Sequence, residues 1–408
     1  MKCRHCQAEL TLPFIDLETA PPSNSYLTSE QLSAPEKWYP LRVLTCRNCW
    51  LVQTEDYAHF EEMFSSDYAY FSSFSSSWLE HAERYVAQIA DRFGLGATSH
   101  VIEVASNDGY LLQFVKSKGI PCLGIEPTHS TAQAARAKGI EVIEKFFGVA
   151  LADELVAEGL SADLTAANNV LAHVPDINDF VAGFARVLKA NGVATFEFPH
   201  LVQLVAECQF DTVYHEHFSY LSLSAVNTIF EANGLLIFDV QEIGTHGGSL
   251  RVFAQRSATG TRAPSEAVAS LLAREVAAGV TSPAYYKGFQ SRADRIKDDL
   301  LSFLIQAKRD GKSIGAYGAA AKGNTLMNYA GVRSNLLPWV VDRNPAKQGK
   351  FLPGCRVPIV DEAHLRREKP QFVVILPWNL KAEVMEQLSY IRAWGGKFVT
   401  AVPKLEIS

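Results

Sequence analysis

Two Cys-x-x-Cys pairs stand near the head of the chain, Cys3-Arg4-His5-Cys6 and Cys46-Arg47-Asn48-Cys49. A Cys-x-x-Cys turn sets two thiols on one side of a tight loop. Two such turns complete a tetrahedral four-sulfur shell suited to Zn²⁺, so the long segment between them must fold back on itself. Pro21, Pro22 and the polar run Ser23-Asn24-Ser25 suit a loop on that return path. A redox role for the pairs would call for a thioredoxin-like βαβ pattern around them, and none is present. Four thiolates close the shell, so this zinc is expected to be structural, held by Cys3, Cys6, Cys46 and Cys49; His5 would serve only if one Cys did not bind. Cys122, Cys208 and Cys355 are scattered and read as buried, reduced thiols.

The 408-residue chain is too long for one ordinary core, so two or three domains are expected. With 48% hydrophobic and 20% charged residues it is globular, and a net charge of −6 argues against non-specific nucleic-acid binding. No apolar run approaches the ~20 residues that span a bilayer. Met1-Lys2-Cys3-Arg4-His5-Cys6 has no apolar signal core, which predicts a cytoplasmic protein without membrane association.

From His100 the pattern alternates. Strands are expected at 101–105, 122–126, 141–143, 164–168 and 193–198, with helices at 110–118, 131–138, 150–158 and 177–190 between them. Such alternation implies a parallel, doubly wound sheet, whose ligands bind beyond the carboxyl ends of the strands. Glu103, Ala105, Asn107, Asp108 and Gly109 follow the first strand; Glu126 and Pro127 end the second; Asn168 and Asn169 end the fourth, with His173 just beyond. The first turn is not the dinucleotide G-x-G-x-x-G. A glycine-containing first turn, an acid placed for two ribose hydroxyls and a polar fourth strand end point to S-adenosylmethionine, with NAD as the competing ligand.

Further on, a helix is expected at 201–208, another at 222–233 stopped by Gly234, and a strand pair at 235–242 and 250–255 around Thr245-His246-Gly247-Gly248. Residues 264–310 read as helical, with Tyr286, Phe289, Ile296, Leu300, Leu304 and Ile305 as a packing stripe. A second α/β unit begins with a strand at 313–317. The Gly/Ala turn after it, 318–325, carries Lys322 into a helix start that suits a phosphate or only interdomain packing. Strands at 339–342, 372–376 (followed by Pro377-Trp378-Asn379) and 397–401 complete it.

Between the two units lies Tyr214-His215-Glu216-His217-Phe218-Ser219-Tyr220. Three readings fit the residues alone: a strand with a His-rich polar face, a metal site using His215 and His217 on one strand face, or acid/base chemistry in which a neighbouring Glu or Tyr orients a His. The aromatic run Asp67 to Phe74 reads as a packed connecting loop, or as a lid or pocket wall.

Together these motifs resemble the sugar C-methyltransferases that methylate carbon 3 of a nucleotide-linked 4-keto-6-deoxy sugar. The resemblance covers nearly the whole chain. It rests on the two Cys pairs, E-V-A-S-N-D-G (103–109), G-I-E-P (124–127), N-N-V-L-A-H (168–173), Y-H-E-H-F-S-Y (214–220), H-G-G-S-L-R (246–251), Y-G-A-A-A-K-G-N (317–324) and L-P-W-N (376–379). It implies a zinc-binding domain at 1–65, a class I, Rossmann-like S-adenosylmethionine methyltransferase domain at 66–260, and a helical connector with a C-terminal Rossmann-like domain at 261–408. It also implies that His217 is the general base, with Tyr214 and Glu216 as neighbours, His173 after the Asn-Asn strand end, and Tyr68 from the aromatic loop. Tyr70, Glu197, His200, His246, Lys322 and Asn379 are expected on the substrate side. A carboxylate partner for the base is the economical arrangement, and His215 has no required part. Thymidine diphosphate is the expected nucleotide handle, with GDP and CDP open, and the chain is expected to be a monomer or weak homodimer. Rival readings are an NAD(P)-dependent sugar-nucleotide oxidoreductase and a non-enzymatic zinc-knuckle binding protein.

Overall fold

The computed structural model describes residues 1–55 and 71–408. Three sheets organise the described residues.

The first sheet accounts for the return path between the Cys pairs. Leu12–Ala20 pairs antiparallel with Tyr39–Thr45, which pairs with Val52–Thr54. The segment is therefore sheet on both flanks of its loop, where the sequence suggested only the loop. Its fourth strand, Ser219–Tyr220, comes from far along the chain and pairs with Val52–Thr54. The unit that carries the Cys pairs thus does not close on its own residues.

The second sheet has seven strands. In order across it they are Leu235–Ile243, Ser249–Arg256, Leu188–Pro199, Ala162–Asn168, Val101–Val104, Cys122–Ile125 and Val142–Ile143. Val101–Val104 is buried at every position, as a strand covered by helices on both faces must be. The chain runs outward from it through Cys122–Ile125 to Val142–Ile143, then returns to its other side with Ala162–Asn168. That reversal puts the topological switch point between the turn after Val104 and Asn168. The helix Ile177–Val187 stops earlier than expected because Leu188 is already paired with Ala162. The helix Leu223–Ala232 is capped by the Ser222 hydroxyl, which accepts from the Ala225 N–H, and is followed by Gly234 at φ 82°.

The third sheet runs Ile359–Val360, Val340–Val341, Ile314–Tyr317, Phe372–Ile375, Lys397–Thr400 and Glu406–Ile407, parallel except for the last pair. Its switch point falls between Tyr317 and Ile375, so the 318–325 turn and Trp378-Asn379 share one edge. Gly318 has φ +91°, and a Cβ there would meet the Pro377 ring at 2.4 Å, so only glycine fits.

The expected packing stripe joins the first and third sheets. Tyr286, Phe289, Ile296, Leu300 and Leu304 are buried in one cluster with Phe14, Leu41 and the C-terminal strands; Ile305 is only partly buried. Phe14 stacks on Phe289 at 4.4 Å. No helix among the described residues is long and apolar enough to cross a membrane.

Candidate active site

The four cysteines converge. Their sulfurs lie within 4.8 Å of one another, with Cys3–Cys49 and Cys6–Cys46 each at 3.5 Å. Zinc–sulfur bonds of ~2.3 Å in a tetrahedron need sulfurs about 3.8 Å apart, so the shell fits the ion. Both knuckles are built alike. The N–H of Gln7 donates to Cys3 O and that of Trp50 to Cys46 O, each at 3.0 Å, and both residues are left-handed (φ 62° and 60°). Gln53 Nε2 donates to Cys3 Sγ at 3.2 Å and the Asn48 N–H to Cys46 Sγ at 3.4 Å, which favours thiolates. His5 turns away, its Nδ1 2.7 Å from Asn178 Oδ1. Among the described residues no other group of three His, Cys, Asp or Glu is close enough to share a metal.

At the central switch point, Ala105, Asn107 and Gly109 are all left-handed (φ 58°, 50° and 75°). A sparsely populated backbone at two non-glycine positions marks a shaped turn. Glu126 ends its strand with Oε2 accepting from the Asn107 N–H and Oε1 from the Thr128 N–H, both at 2.9 Å. Each carboxylate oxygen keeps a further lone pair for a ligand hydroxyl. Burial raises the pKa of both Glu126 and, much further, Glu103, which also faces Asp108 and Glu126. Ser106 Oγ, Asp108 Oδ1 and both side-chain polar atoms of Asn168 are buried with no hydrogen-bond partner among the described residues. Buried polar groups are normally satisfied, so a polar ligand in this cleft fits the donor set. Asn107 is part of the frame: its Oδ1 accepts from the Ser72 N–H at 2.9 Å. Pro127 is half-buried beside Glu126.

The His-Glu-His stretch is a turn, not a strand; only Ser219–Tyr220 extends. The His217 N–H closes it by donating to Tyr214 O at 2.9 Å. His215 and His217 therefore part company. His215 is buried with Nε2 3.1 Å from Pro40 O, which removes the shared-face metal reading. His217 Nδ1 lies 2.8 Å from the Thr212 carbonyl. A carbonyl only accepts, so Nδ1 carries the hydrogen and Nε2 presents a lone pair. The His173 ring meets His217 edge-on at 4.6 Å, and Tyr214 lies against it at 3.9 Å. Burial and the His173 neighbour hold His217 well below its usual 6.5, and burial holds His173 at about 4. Both rings are neutral at pH 7.

Glu216 does not partner His217. Both its oxygens accept from Asn24 Nδ2 at 2.8 Å, it is 2% exposed, and burial pushes it up to about 7. The place expected for a carboxylate beside the base is taken by the Thr212 carbonyl.

The C-terminal unit reaches this cluster. The helix Ala321–Tyr329 packs on the Phe210–Thr212 turn, where Thr325 Oγ1 donates to Val213 O at 3.0 Å. Lys322 Nζ donates to Asn379 Oδ1 at 2.8 Å and lies 4.8 Å over the Trp378 ring. Trp378 Nε1 donates to buried Asp211 at 2.7 Å, whose pKa burial raises to about 6. Lys322 itself is held down by burial against the pull of Asp211. His246, left-handed at φ 55°, has Nε2 3.3 Å from Asn169 Nδ2 and its ring 5.2 Å from Trp78; burial and Lys322 hold it at about 4. The structure thus brings His173, Tyr214 and His217 together and links Lys322, Asn379 and His246 to them.

Two expected substrate contacts are engaged elsewhere. Glu197 is fully buried between His81 Nε2 (2.8 Å) and Arg251 Nε (2.6 Å). Although burial would raise it, those two partners hold its carboxyl below the usual range. His200, 3% exposed, has Nε2 2.7 Å from Glu275, which also accepts from the Leu223 and Ser224 N–H groups at a helix start. Both read as buried framework. Tyr68 and Tyr70 lie outside the described residues. The sequence did not single out Asn24, Asp211 or Trp78 as site residues, because nothing local marks a residue whose partner lies well over a hundred positions away, nor Thr212, which acts on His217 through its backbone carbonyl and not its side chain.

Three family models match the chain: "Putative zinc binding domain" over residues 3–64, "Methyltransferase domain" over 78–239, and "C-methyltransferase C-terminal domain" over 244–403. A relative, C-methyltransferase NovU of Streptomyces niveus, is 31% identical over 403 residues, spanning 99% of this chain and 96% of its own. Solved structures with partial likeness include a magnesium protoporphyrin IX methyltransferase of Synechocystis PCC 6803 with bound SAM (16% identity, 44% of this chain and 79% of that one, TM-score 0.33). Another is a methyltransferase in complex with the Haloferax volcanii Trm112 activator (13% identity, 45% and 92%, TM-score 0.36).

Proposed function

The chain belongs to the S-adenosylmethionine-dependent C-methyltransferases, and from that premise we propose that it methylates carbon 3 of a nucleotide-linked 4-keto-6-deoxy sugar in deoxysugar biosynthesis. The observation that carries this reading is the tautomer of His217: Nδ1–H is tied to the Thr212 carbonyl, and Nε2 is left as a neutral acceptor beside His173 and Tyr214.

A 4-keto group acidifies the carbon-3 proton. His217 Nε2 accepts that proton, and the electron pair of the broken C–H bond passes into the enolate. Tyr214 and Lys322 supply the donors near the enolate oxygen. When bound, the cofactor supplies an electrophilic methyl group. Glu126, Asn168 and the left-handed turn at 105–109 would hold it, with Asp108 and Asn169 alongside. Glu216, near neutral pH in its titration, shapes the back of the pocket through Asn24. The diphosphate of a thymidine, guanosine or cytidine handle suits Lys322 and the helix start at the edge of the third sheet. Divisions near residues 65 and 260 fit three units with one shared site, and four reduced thiolates suit a reducing, cytoplasmic setting.

The test is exchange of the carbon-3 proton with solvent deuterium in a thymidine diphosphate 4-keto-6-deoxy sugar, followed without cofactor. Wild-type protein should exchange it, and His217→Asn should lose exchange and methyl transfer together, by roughly 10²–10⁴-fold, with ligand binding intact. Exchange at the wild-type rate in His217→Asn would assign the base elsewhere.

A further inference from the structure

The zinc knuckle and the His217 turn are joined by a short run of hydrogen bonds that proton transfer itself does not use. Gln53, fully buried, donates from Nε2 to Cys3 Sγ at 3.2 Å, and its Oε1 accepts from the Arg4 N–H at 2.9 Å. The neighbouring Thr54 holds the catalytic turn. Its N–H donates to Phe218 O at 3.1 Å, and its Oγ1 donates to His217 O. The same short strand pairs Val52 with Tyr220 and Gln53 with Ser219.

Arg4, which stands between two zinc ligands, closes the arrangement. Its Nη2 donates to Thr54 O at 2.9 Å, its Nη1 to Pro175 O at 3.3 Å, and its guanidinium lies 4.8 Å over the Phe218 ring. Pro175 follows His173 by two residues and Phe218 follows His217 by one. The two loops also touch directly, through the Phe218 N–H and Ala172 O at 2.8 Å. One planar fork therefore contacts both loops that carry the paired imidazoles, from a backbone pinned by the sulfur cluster.

We propose that Arg4 is a positioning residue for the His217–His173 pair, and that the zinc site is the fixed point from which it works. The assignment rests on His217 being the base. A base misplaced by ~1 Å can lose about 10²-fold in rate. Guanidinium suits the task because its several N–H groups sit in a rigid fork, whereas an ammonium makes a point contact. The zinc unit, read from sequence as a fold anchor, then also sets catalytic geometry.

The experiment compares Arg4→Met, Arg4→Lys and Thr54→Val in the full, zinc-loaded protein. Zinc per chain, S-adenosylhomocysteine affinity, kcat, KM and amide hydrogen exchange across residues 212–220 are measured for each. Arg4→Met should keep its zinc, its cofactor affinity and KM within about threefold. It should lose roughly 10- to 100-fold in kcat and show at least tenfold faster exchange at 217–220. Arg4→Lys should recover part of both, and Thr54→Val should reproduce the kcat-selective loss. A zinc-loaded Arg4→Met with wild-type kcat and exchange overturns the proposal. If Arg4→Met sheds its zinc, Thr54→Val decides in its place, and wild-type kcat and exchange there overturn it. The exchange measurement does not depend on which group is the base. Full activity in His217→Asn would remove the base assignment, while unchanged amide exchange in Arg4→Met would remove the positioning link.

Discussion

Replacing Glu216 by glutamine should stabilise the protein in a pH-dependent way while impairing it as an enzyme. Glu216 is 2% exposed, and both oxygens of its carboxylate accept from Asn24 Nδ2, help that does not offset its burial. Burial raises it from 4.5 to about 7. Below pH 4.5 the folded and unfolded chains both carry the proton, and Glu216 makes no difference. As pH rises past 4.5 the unfolded chain ionises first, so the folded state loses stability until Glu216 itself ionises near pH 7. At about 1.4 kcal/mol per pH unit, the folded state gives up about 3 kcal/mol by pH 8 and under about 1 kcal/mol at pH 5. Glutamine has the same shape, offers Asn24 an acceptor and never ionises. Urea unfolding followed by tryptophan fluorescence should show Glu216→Gln gaining about 3 kcal/mol over wild type at pH 8 and little at pH 5. Methyl transfer should fall in the same variant, as expected where a functional group is kept at a cost to stability. An equal gain at both pH values, or a loss at pH 8, would refute the reasoning.

Glu126→Ala removes the acceptor for two backbone N–H groups and, on the proposed reading, for the ribose hydroxyls. Calorimetry with S-adenosylhomocysteine should show a loss of about 1.5–3 kcal/mol, ten- to hundredfold, and unchanged affinity would place the cofactor elsewhere. Metal analysis should return one zinc per chain, and Cys46→Ser should lower solubility and melting temperature because a structural shell contributes folding energy. Well-folded protein without zinc would end that assignment. The 318–325 turn lacks a full dinucleotide fingerprint, so NAD(P) should not bind at micromolar concentration in the same calorimeter.

Much of the polar cleft at the central switch point was legible because its signals are local. Glu103 to Gly109, Glu126 and Asn168 each sit at a strand end, and period-2 and period-3.6 patterns fix where strands end. The four cysteines were legible for a similar reason, since a spacing of two sets a turn. Glu197 and His200 misled because a polar residue at a strand end looks the same whether it faces a ligand or a buried partner. Their partners, His81, Arg251 and Glu275, come from helices and strands distant in the chain.

The sequence by itself determined the alternation of strands and helices, the strand ends beyond which a ligand is expected and the chemistry available at each of them. These follow from periodicity and residue type, which act over a few positions. The tertiary structure decided what each imidazole does. It bent Tyr214 to Phe218 into a turn, sent His215 to Pro40, gave His217 the Thr212 carbonyl in place of Glu216, and tied the turn to the zinc knuckle through Thr54 and Arg4. A tautomer, a raised carboxyl and a positioned imidazole depend on which groups surround them, and those groups lie up to 192 residues away, as Asn24 does from Glu216.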